Sequence, residues 1–190
     1  MNYERIRAEL GPDVTIVAAT KYVPLDELGA LAEGGIEVVG ENRAQDLEAK
    51  HARYGASFRW HFIGHLQSRK TKTVNELCEL CHSLSSESAA RRLEIPALVE
   101  VNLSGEEEKG GIAPETLDEF IERCPVRVSG LMTMPPFTED PEASRHYFTR
   151  LAALASERGL ERLSMGTSQD WPVAVEEGAT IIRLGSVLWS

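Results

Sequence analysis

Two kinds of segment alternate along this chain, and that alternation constrains its fold more than any other feature. Short apolar runs rich in β-branched residues predict strands, and stretches with an apolar residue every three or four positions predict helices between most of them. The predicted strands cover residues 14–20, 36–40, 59–63, 79–83, 96–103, 126–131, 162–165 and 180–183. The predicted helices cover 24–33, 43–51, 70–77, 87–93, 114–123, 142–158 and 169–176, and Asn42 is expected to cap the second of them.

Eight strands joined by helices predict an α/β protein with a parallel sheet, because each helix crossover returns the chain in the same direction. Eight such units close as a (β/α)8 TIM barrel. The fourth predicted strand is the weakest, and 190 residues is short for a fold that usually needs about 250. An open doubly wound sheet therefore stays the alternative. The chain has no linker, repeat or low-complexity tract, so a single domain over residues 1–190 is expected.

Charge and hydropathy exclude several classes of partner. The net charge is −10 and the pI is about 5.0, which disfavours nucleic acid and anionic membranes. No apolar run approaches the roughly 18 residues of a membrane span, and the first residues lack the apolar stretch of a secretory signal. We expect a cytoplasmic protein. Its overall field repels anions, so a phosphate would have to be held by local geometry.

The three cysteines do not indicate a disulfide framework or a metal centre. Cys78-Glu-Leu-Cys81-His82 matches the short pattern for haem attachment, but that pattern arises by chance and no second cysteine pair could complete a zinc site. We interpret the cysteines as small apolar residues and expect no metal. His61 and His65 straddle the end of the third predicted strand, where a histidine facing the barrel mouth is expected rather than a metal site.

Lys21 stands where the first predicted strand ends and a proline turn begins. The carboxyl ends of the strands are where α/β folds place their chemistry. A lysine that is desolvated there loses its proton easily and condenses with a carbonyl group as a Schiff base. Lys21 is therefore the first candidate for a reactive residue.

The last two predicted strands are each followed by small residues that suit a phosphate. Gly166 and Ser168 follow the seventh strand, and Arg183, Gly185 and Ser186 close the eighth. Small residues let backbone N–H groups approach an anion, and barrels often bind phosphate with the loops after strands seven and eight. An amine at the first strand and a phosphate site at the last two predict one ligand, an aldehyde that carries a phosphate.

Eight motifs occur in the order found in one family. They occupy residues 18–24, 40–42, 60–64, 66–70, 101–106, 130–133, 163–166 and 183–185. On these motifs the chain resembles the pyridoxal phosphate homeostasis protein family over nearly its whole length. The resemblance implies a fold like the barrel domain of alanine racemase. It also implies pyridoxal 5′-phosphate bound to a lysine as a Schiff base, with no well-established catalysis. Such proteins are thought to buffer the cofactor or deliver it to PLP-dependent apo-enzymes, which would be transient partners.

The resemblance also assigns residues. Lys21 matches the Schiff-base lysine, no residue is assigned to catalysis, and the partner of the pyridine nitrogen stays unnamed. The chain departs from the family by Thr167 in place of methionine, Ser186 in place of threonine, a short stretch over 84–95, and an end at residue 190 where relatives continue. The resemblance places Asn42 beside the cofactor and Gly166 in the turn of the phosphate site. The residues that it implies hold the phosphate are Ser168, Arg183, Gly185 and Ser186.

Two enzymatic alternatives remain open on the sequence. An amino-acid racemase or lyase needs a second acid/base group on the far side of the ring, commonly supplied by another domain or subunit. One barrel of 190 residues offers no such domain, so a racemase is not favoured. A Schiff-base aldolase of phosphorylated sugars would use Lys21 without a cofactor. A monomer fits a single barrel.

Overall fold

In the computed structural model, which describes residues 2–106 and 110–189 without the side chains of Ser186 and Trp189, eight parallel strands close into a barrel. The strands pair in chain order, and β8 closes the barrel against β1. The predicted (β/α)8 class is confirmed and the open sheet is excluded. The strands are β1 (Thr15–Ala19), β2 (Val38–Glu41), β3 (Arg59–Phe62), β4 (Leu80–Leu84), β5 (Ala97–Glu100), β6 (Val128–Met132), β7 (Arg162–Ser164) and β8 (Ile181–Leu184).

Helices surround the barrel, and several predicted helices begin as a 3-10 turn at a proline. Pro24, Pro114 and Pro141 each introduce such a turn before the α-helix that follows. The first and last helices were not predicted. The α-helices are α1 (Tyr3–Glu9), α2 (Leu28–Glu33), α3 (Ala44–Tyr54), α4 (Thr71–Leu77), α5 (Glu87–Ala90), α6 (Leu117–Arg123), α7 (Arg145–Ser156), α8 (Trp171–Glu176) and α9 (Ser186–Trp189).

The expected cap of the second predicted helix is wrong. Strand β2 continues to Glu41, and Arg43 is still extended, with φ −130° and ψ 133°. Helix α3 therefore begins one residue later than Asn42 could cap, and Arg43 stands at the cap without a side-chain hydrogen bond. Asn42 is released from the helix and faces the mouth of the barrel instead.

The weak fourth strand does form, and the short stretch after it explains the compact chain. Strand β4 is buried along its whole length, and its register against β5 shifts between Cys81 and Leu84. Helix α5 is a single turn capped by Ser86, whose Oγ accepts the N–H of Ala89 at 3.3 Å. One turn is enough to return the chain to β5. Cys78 and Cys81 are buried in the core beside this crossover.

Alternate residues of each strand face opposite sides of the barrel wall. Outward-facing residues pack beneath the helices in the main core, and inward-facing residues fill the barrel. The apolar part of the interior consists of Val17, Val38, Leu80, Leu98, Met132 and Ile181. Four buried polar side chains complete it: His61, His82, Ser164 and Arg183. Among the described residues, no helix has the length and apolar character needed to cross a membrane.

Candidate functional site

A cavity of about 370 Å³ opens at the carboxyl ends of the strands. That volume falls in the range of small-molecule binding sites, roughly 300–1,000 Å³. The loops after β1, β2, β7 and β8 all reach it. Five of the seven residues predicted for the site line this cavity: Lys21, Asn42, Ser168, Arg183 and Gly185.

Lys21 stands on the rim of the cavity rather than deep within it. The turn after β1 closes with the N–H of Val23 donating to the carbonyl of Thr20 at 2.9 Å, which carries Lys21 outward. Its side chain is exposed, and its Nζ lies 4.6 Å from the ring centroid of exposed Tyr22. The desolvation expected from the sequence is therefore absent, because the turn ends at the rim and not inside the barrel.

A buried ion pair supports Lys21 from below. Lys50 Nζ of α3 donates to the carbonyl of Thr20 and to Glu41 Oε1, both at 2.6 Å. Thr20 Oγ1 donates to the same carboxylate oxygen at 2.5 Å. These three residues, all buried, form the Glu41–Lys50 cluster. Sequence reasoning missed it, although Glu41 is the central residue of the Gly40-Glu41-Asn42 motif.

The loops after β7 and β8 meet at one hydroxyl group. Ser168 Oγ accepts the N–H of Gly185 at 3.0 Å and the N–H of Val187 at 3.5 Å. We call Ser168 and Gly185 the anion seat. Ser186, predicted to belong to it, begins α9, but its side chain lies outside the described part of the chain.

Gly166 shapes the turn behind the anion seat and does not line the cavity. Its φ is +90°, and an added Cβ would lie 2.6 Å from Ala174 Cβ, so both the backbone angle and the space require glycine. Thr167, the first of the departures from the family resemblance, binds buried Asp170. Its N–H and its Oγ1 donate to Asp170 Oδ1 at 2.7 and 3.1 Å. This loop is held by its own hydrogen bonds.

Arg183 points into the barrel, toward β6 and β7. Its Nη1 donates to Ser164 Oγ at 2.5 Å and its Nη2 to the carbonyl of Thr133 at 3.0 Å. Burial lowers the pKa of Arg183 to about 10, although Glu100 and Asp170 favour the charged form. The guanidinium therefore stays cationic at neutral pH and lies beneath the cavity.

Asn42 presents an acceptor without a partner. Its Oδ1 is buried and accepts no hydrogen bond from any described residue. The neighbouring Gly64 lets the loops after β2 and β3 pack closely, since an added Cβ there would lie 2.0 Å from the carbonyl oxygen of Asn42. Buried polar atoms are almost always paired in folded proteins, so this amide is suited to a bound donor.

A second cavity of about 510 Å³ adjoins the first and shares Asn42 and Arg183 with it. His65 lines it at the mouth, as predicted for this pair of histidines, whereas His61 lies inside the barrel. Glu100 also lines it, and burial raises the pKa of that carboxyl group. Sequence reasoning did not single out Glu100, which sits at the end of a strand with no distinguishing neighbours.

Comparisons with known proteins agree on one group. The family model described as alanine racemase, N-terminal domain, matches residues 1–190. The pyridoxal phosphate homeostasis protein of Aquifex aeolicus is 41% identical over 194 residues, covering 92% of this chain and 85% of that protein. The protein of the same name from Vibrio cholerae is 35% identical over 200 residues, covering 93% and 84%.

Solved structures give the same result. PipY of Synechococcus elongatus with PLP bound has a TM-score of 0.88 and 29% identity, covering 100% of this chain and 98% of that one. An alanine racemase of Clostridium difficile has a TM-score of 0.78 at 13% identity, covering 99% of this chain and 55% of that one. The second likeness concerns the fold alone.

Proposed function

This chain belongs to the pyridoxal phosphate homeostasis protein family, and from that premise we propose that it binds pyridoxal 5′-phosphate as a Schiff base on Lys21. One observation carries the proposal. The amine of Lys21 and the anion seat of Ser168 and Gly185 line the same cavity of about 370 Å³. The cofactor has an aldehyde and a phosphate on one ring, so it can engage both groups at once.

Each end of the site has a distinct task. Lys21 would hold the cofactor through its amine, the nucleophile for Schiff-base formation with the aldehyde, and the aldehyde oxygen would leave as water. The Ser168 hydroxyl and the Gly185 N–H, which their hydrogen bond already places together, would hold the phosphate, and Ser186 is proposed with them. Donors placed by local geometry are needed here because the protein as a whole carries a charge of −10.

Arg183 is proposed to face the ring rather than the phosphate. Its bonds to Ser164 and Thr133 hold the guanidinium toward β6 and β7. Arginine only donates hydrogen bonds, so a further N–H of Arg183 would pair with an acceptor atom of the bound ring. Bound pyridoxal phosphate would supply an electron-withdrawing ring, and Asn42 Oδ1, a buried acceptor without a partner, would accept a donor group of the cofactor.

Storage and transfer, rather than turnover, suit an exposed lysine. Water reaches Lys21 freely, so a Schiff base there can hydrolyse and release the cofactor. Large apolar side chains are exposed at the same mouth, with Tyr22 at 85% and Phe137 at 81%. Apolar surface beside a binding site favours contact with another protein. We propose transient PLP-dependent apo-enzymes as recipients, with this chain acting as a cytoplasmic monomer.

A racemase or lyase is the alternative that the second cavity favours. Glu100 and His65 could act as the second acid/base group, and the raised pKa of Glu100 is typical of a functional carboxyl. Such an enzyme would interconvert D- and L-alanine with many turnovers per bound cofactor. If the wild type shows sustained turnover and Glu100→Gln loses it, the function is catalysis and not storage.

Borohydride reduction tests the proposal directly. The protein is incubated with pyridoxal phosphate, reduced, digested and analysed by mass spectrometry. We expect a yellow protein and a single modified residue, Lys21. The matched control is Lys72→Ala, which removes an exposed lysine of α4 away from the cavity and should leave the modification unchanged. A colourless protein that traps only sugar phosphates would indicate an aldolase instead.

A further inference from the structure

A series of hydrogen bonds runs through the barrel interior, from the cavity to the opposite end. Arg183 Nη1 donates to Ser164 Oγ at 2.5 Å, and Ser164 Oγ lies 2.8 Å from His82 Nδ1. His82 Nε2 lies 2.9 Å from His61 Nδ1, and His61 Nε2 lies 3.0 Å from Glu79 Oε1. We call these five residues the interior chain.

Four members of the interior chain are buried, while the side chain of Glu79 is 41% exposed where it precedes β4. The barrel interior also holds an apolar cluster of six buried side chains. Apolar side chains would fill the same space without losing hydration, so buried polar groups here require partners. Each member has one, and a fully satisfied network of this kind holds its members in fixed positions.

The residues at the two ends of the interior chain determine the direction in which its hydrogen bonds are donated. Arginine can only donate, and an ionised carboxylate can only accept. The bond to His61 is the largest cause that lowers the pKa of Glu79 to about 2, so this group is ionised at neutral pH. Two neutral histidines then have a single consistent arrangement. Ser164 donates to His82 Nδ1, His82 Nε2–H donates to His61 Nδ1, and His61 Nε2–H donates to Glu79.

The reverse direction fails at Glu79. It would place a bare nitrogen of His61 against the carboxylate, so two acceptors would face each other. A protonated histidine would relieve that clash, but burial lowers the pKa of both rings, that of His82 well below its usual value. Nearby cations of Arg59, Arg162 and Arg183 oppose protonation as well, and the Glu79 carboxylate favours it only at His61.

We propose that His82 and His61 are positioning residues for the cofactor. The interior chain, in which every hydrogen bond is donated toward Glu79, would hold the Arg183 guanidinium against the ring of the cofactor. This rests on the proposed function, because Arg183 needs a ring to face. It assigns a role to Glu79, a residue at the far end of the barrel from the cavity. A substitution of Glu79 should therefore change the affinity of the protein for the cofactor.

Histidine tautomers test the interior chain without any cofactor. In ¹⁵N-labelled protein, two-bond ¹H–¹⁵N correlation spectra distinguish Nε2–H from Nδ1–H, and His61→Gln and His82→Gln assign the signals. We expect Nε2–H on both rings in the wild type. Glu79→Ala removes the acceptor at the end of the chain, so a population with Nδ1–H on His61 should appear. Glu161 is an exposed carboxylate just before β7, at the same end of the barrel. Glu161→Ala should leave the tautomers of both histidines unchanged.

Cofactor retention tests the consequence, with the dissociation constant of pyridoxal phosphate followed by absorbance. Coupling between separated sites shifts affinity by roughly 2- to 30-fold, and we expect Glu79→Ala to weaken binding within that range. Glu79→Gln keeps an acceptor oxygen and should fall between Glu79→Ala and the wild type, which also guards against a folding defect. Glu161→Ala should bind as the wild type does.

The outcomes separate the two proposals. A wild-type protein that takes up no pyridoxal phosphate overturns the proposed function and this inference with it. Cofactor binding in the wild type, with Glu79→Ala and Glu161→Ala equal in retention, overturns the inference alone. Nδ1–H as the main form of either histidine in the wild type also overturns it, because the direction argued from Arg183 and Glu79 would then be wrong.

Discussion

The two sides of the cavity are built differently. On the β1 side, the reactive amine of Lys21 is exposed on the rim, and only the backbone beneath it is held by the Glu41–Lys50 cluster. On the β7–β8 side, the groups proposed to hold the ligand are fixed by hydrogen bonds, with Arg183 buried on two of them and Ser168 bonded to Gly185. In the proposed function, a fixed seat for the phosphate is paired with a Schiff base that water can reach and hydrolyse. That division suits a protein that captures a ligand and later gives it up.

Removing the Lys21 amine should have the largest effect on covalent binding of the cofactor. Lys21→Ala takes away the nucleophile while leaving the anion seat, so we expect total loss of the borohydride-stable adduct and an unchanged thermal unfolding curve. Residual, reversible binding should persist through Ser168, Gly185 and Arg183. An adduct that survives in this variant would place the linkage on another lysine, with Lys50 the first to examine.

The support beneath Lys21 should have the largest effect on stability. Lys50→Met leaves the Glu41 carboxylate buried without its cation, and breaking such a pair costs about 3–5 kcal/mol of unfolding free energy. Denaturant titration measures the loss. The double variant Glu41→Gln with Lys50→Met removes the uncompensated charge and should recover much of it. Equal stability of the single and double variants would show that the pair is not the support described.

The two sides of the barrel differ in how far sequence could predict them. Lys21, Ser168 and Gly185 follow strands whose periodicity is clear, so their meeting at one mouth follows from the fold alone. The interior chain could not be predicted, because Ser164 and His82 are 82 residues apart and only the barrel register brings them together. The exposure of Lys21 also escaped prediction, since it depends on the path of one turn.

Arg183 and Thr167 offer a sharper test within the β7–β8 side. Arg183→Gln removes a charged donor beneath the ring, and hydrogen bonds to charged groups contribute about 1.5–3 kcal/mol, or roughly 10- to 150-fold in affinity. Thr167→Met restores the residue usual in the family and removes only one hydroxyl bond to Asp170. Isothermal titration with pyridoxal phosphate should rank the two losses in that order. The opposite ranking would mean that Thr167, not Arg183, holds the ligand.

The loss of unfolding free energy at acid pH should come from the interior chain rather than from residues on the rim of the cavity. Burial lowers the pKa of His61 and His82 below the value of about 6.5 expected in the unfolded chain. As the pH falls below 6.5, the unfolded state therefore takes up protons that the folded state refuses. Each histidine then lowers the unfolding free energy by up to about 1.4 kcal/mol per pH unit. The Glu79 contribution is lost only as the pH falls below about 4.5 toward 2.

Denaturant titrations between pH 6.5 and 5 measure this slope in the wild type and in His82→Gln. We expect the plot of unfolding free energy against pH to be less steep in His82→Gln by the contribution of one histidine. This holds whatever the absolute stability of the variant. His146→Gln, which replaces an exposed histidine of α7, should keep the wild-type slope. An unchanged slope in His82→Gln would place the acid sensitivity elsewhere.

The phenol ring beside the reactive amine has a practical consequence. The ring centroid of Tyr22 lies 4.6 Å from Lys21 Nζ, and the side chain is exposed to solvent. Its ultraviolet emission should be quenched when a yellow chromophore forms next to it and restored when that chromophore departs. The difference between the wild type and Tyr22→Phe would then report loading and unloading of the cofactor over time, with no dye attached.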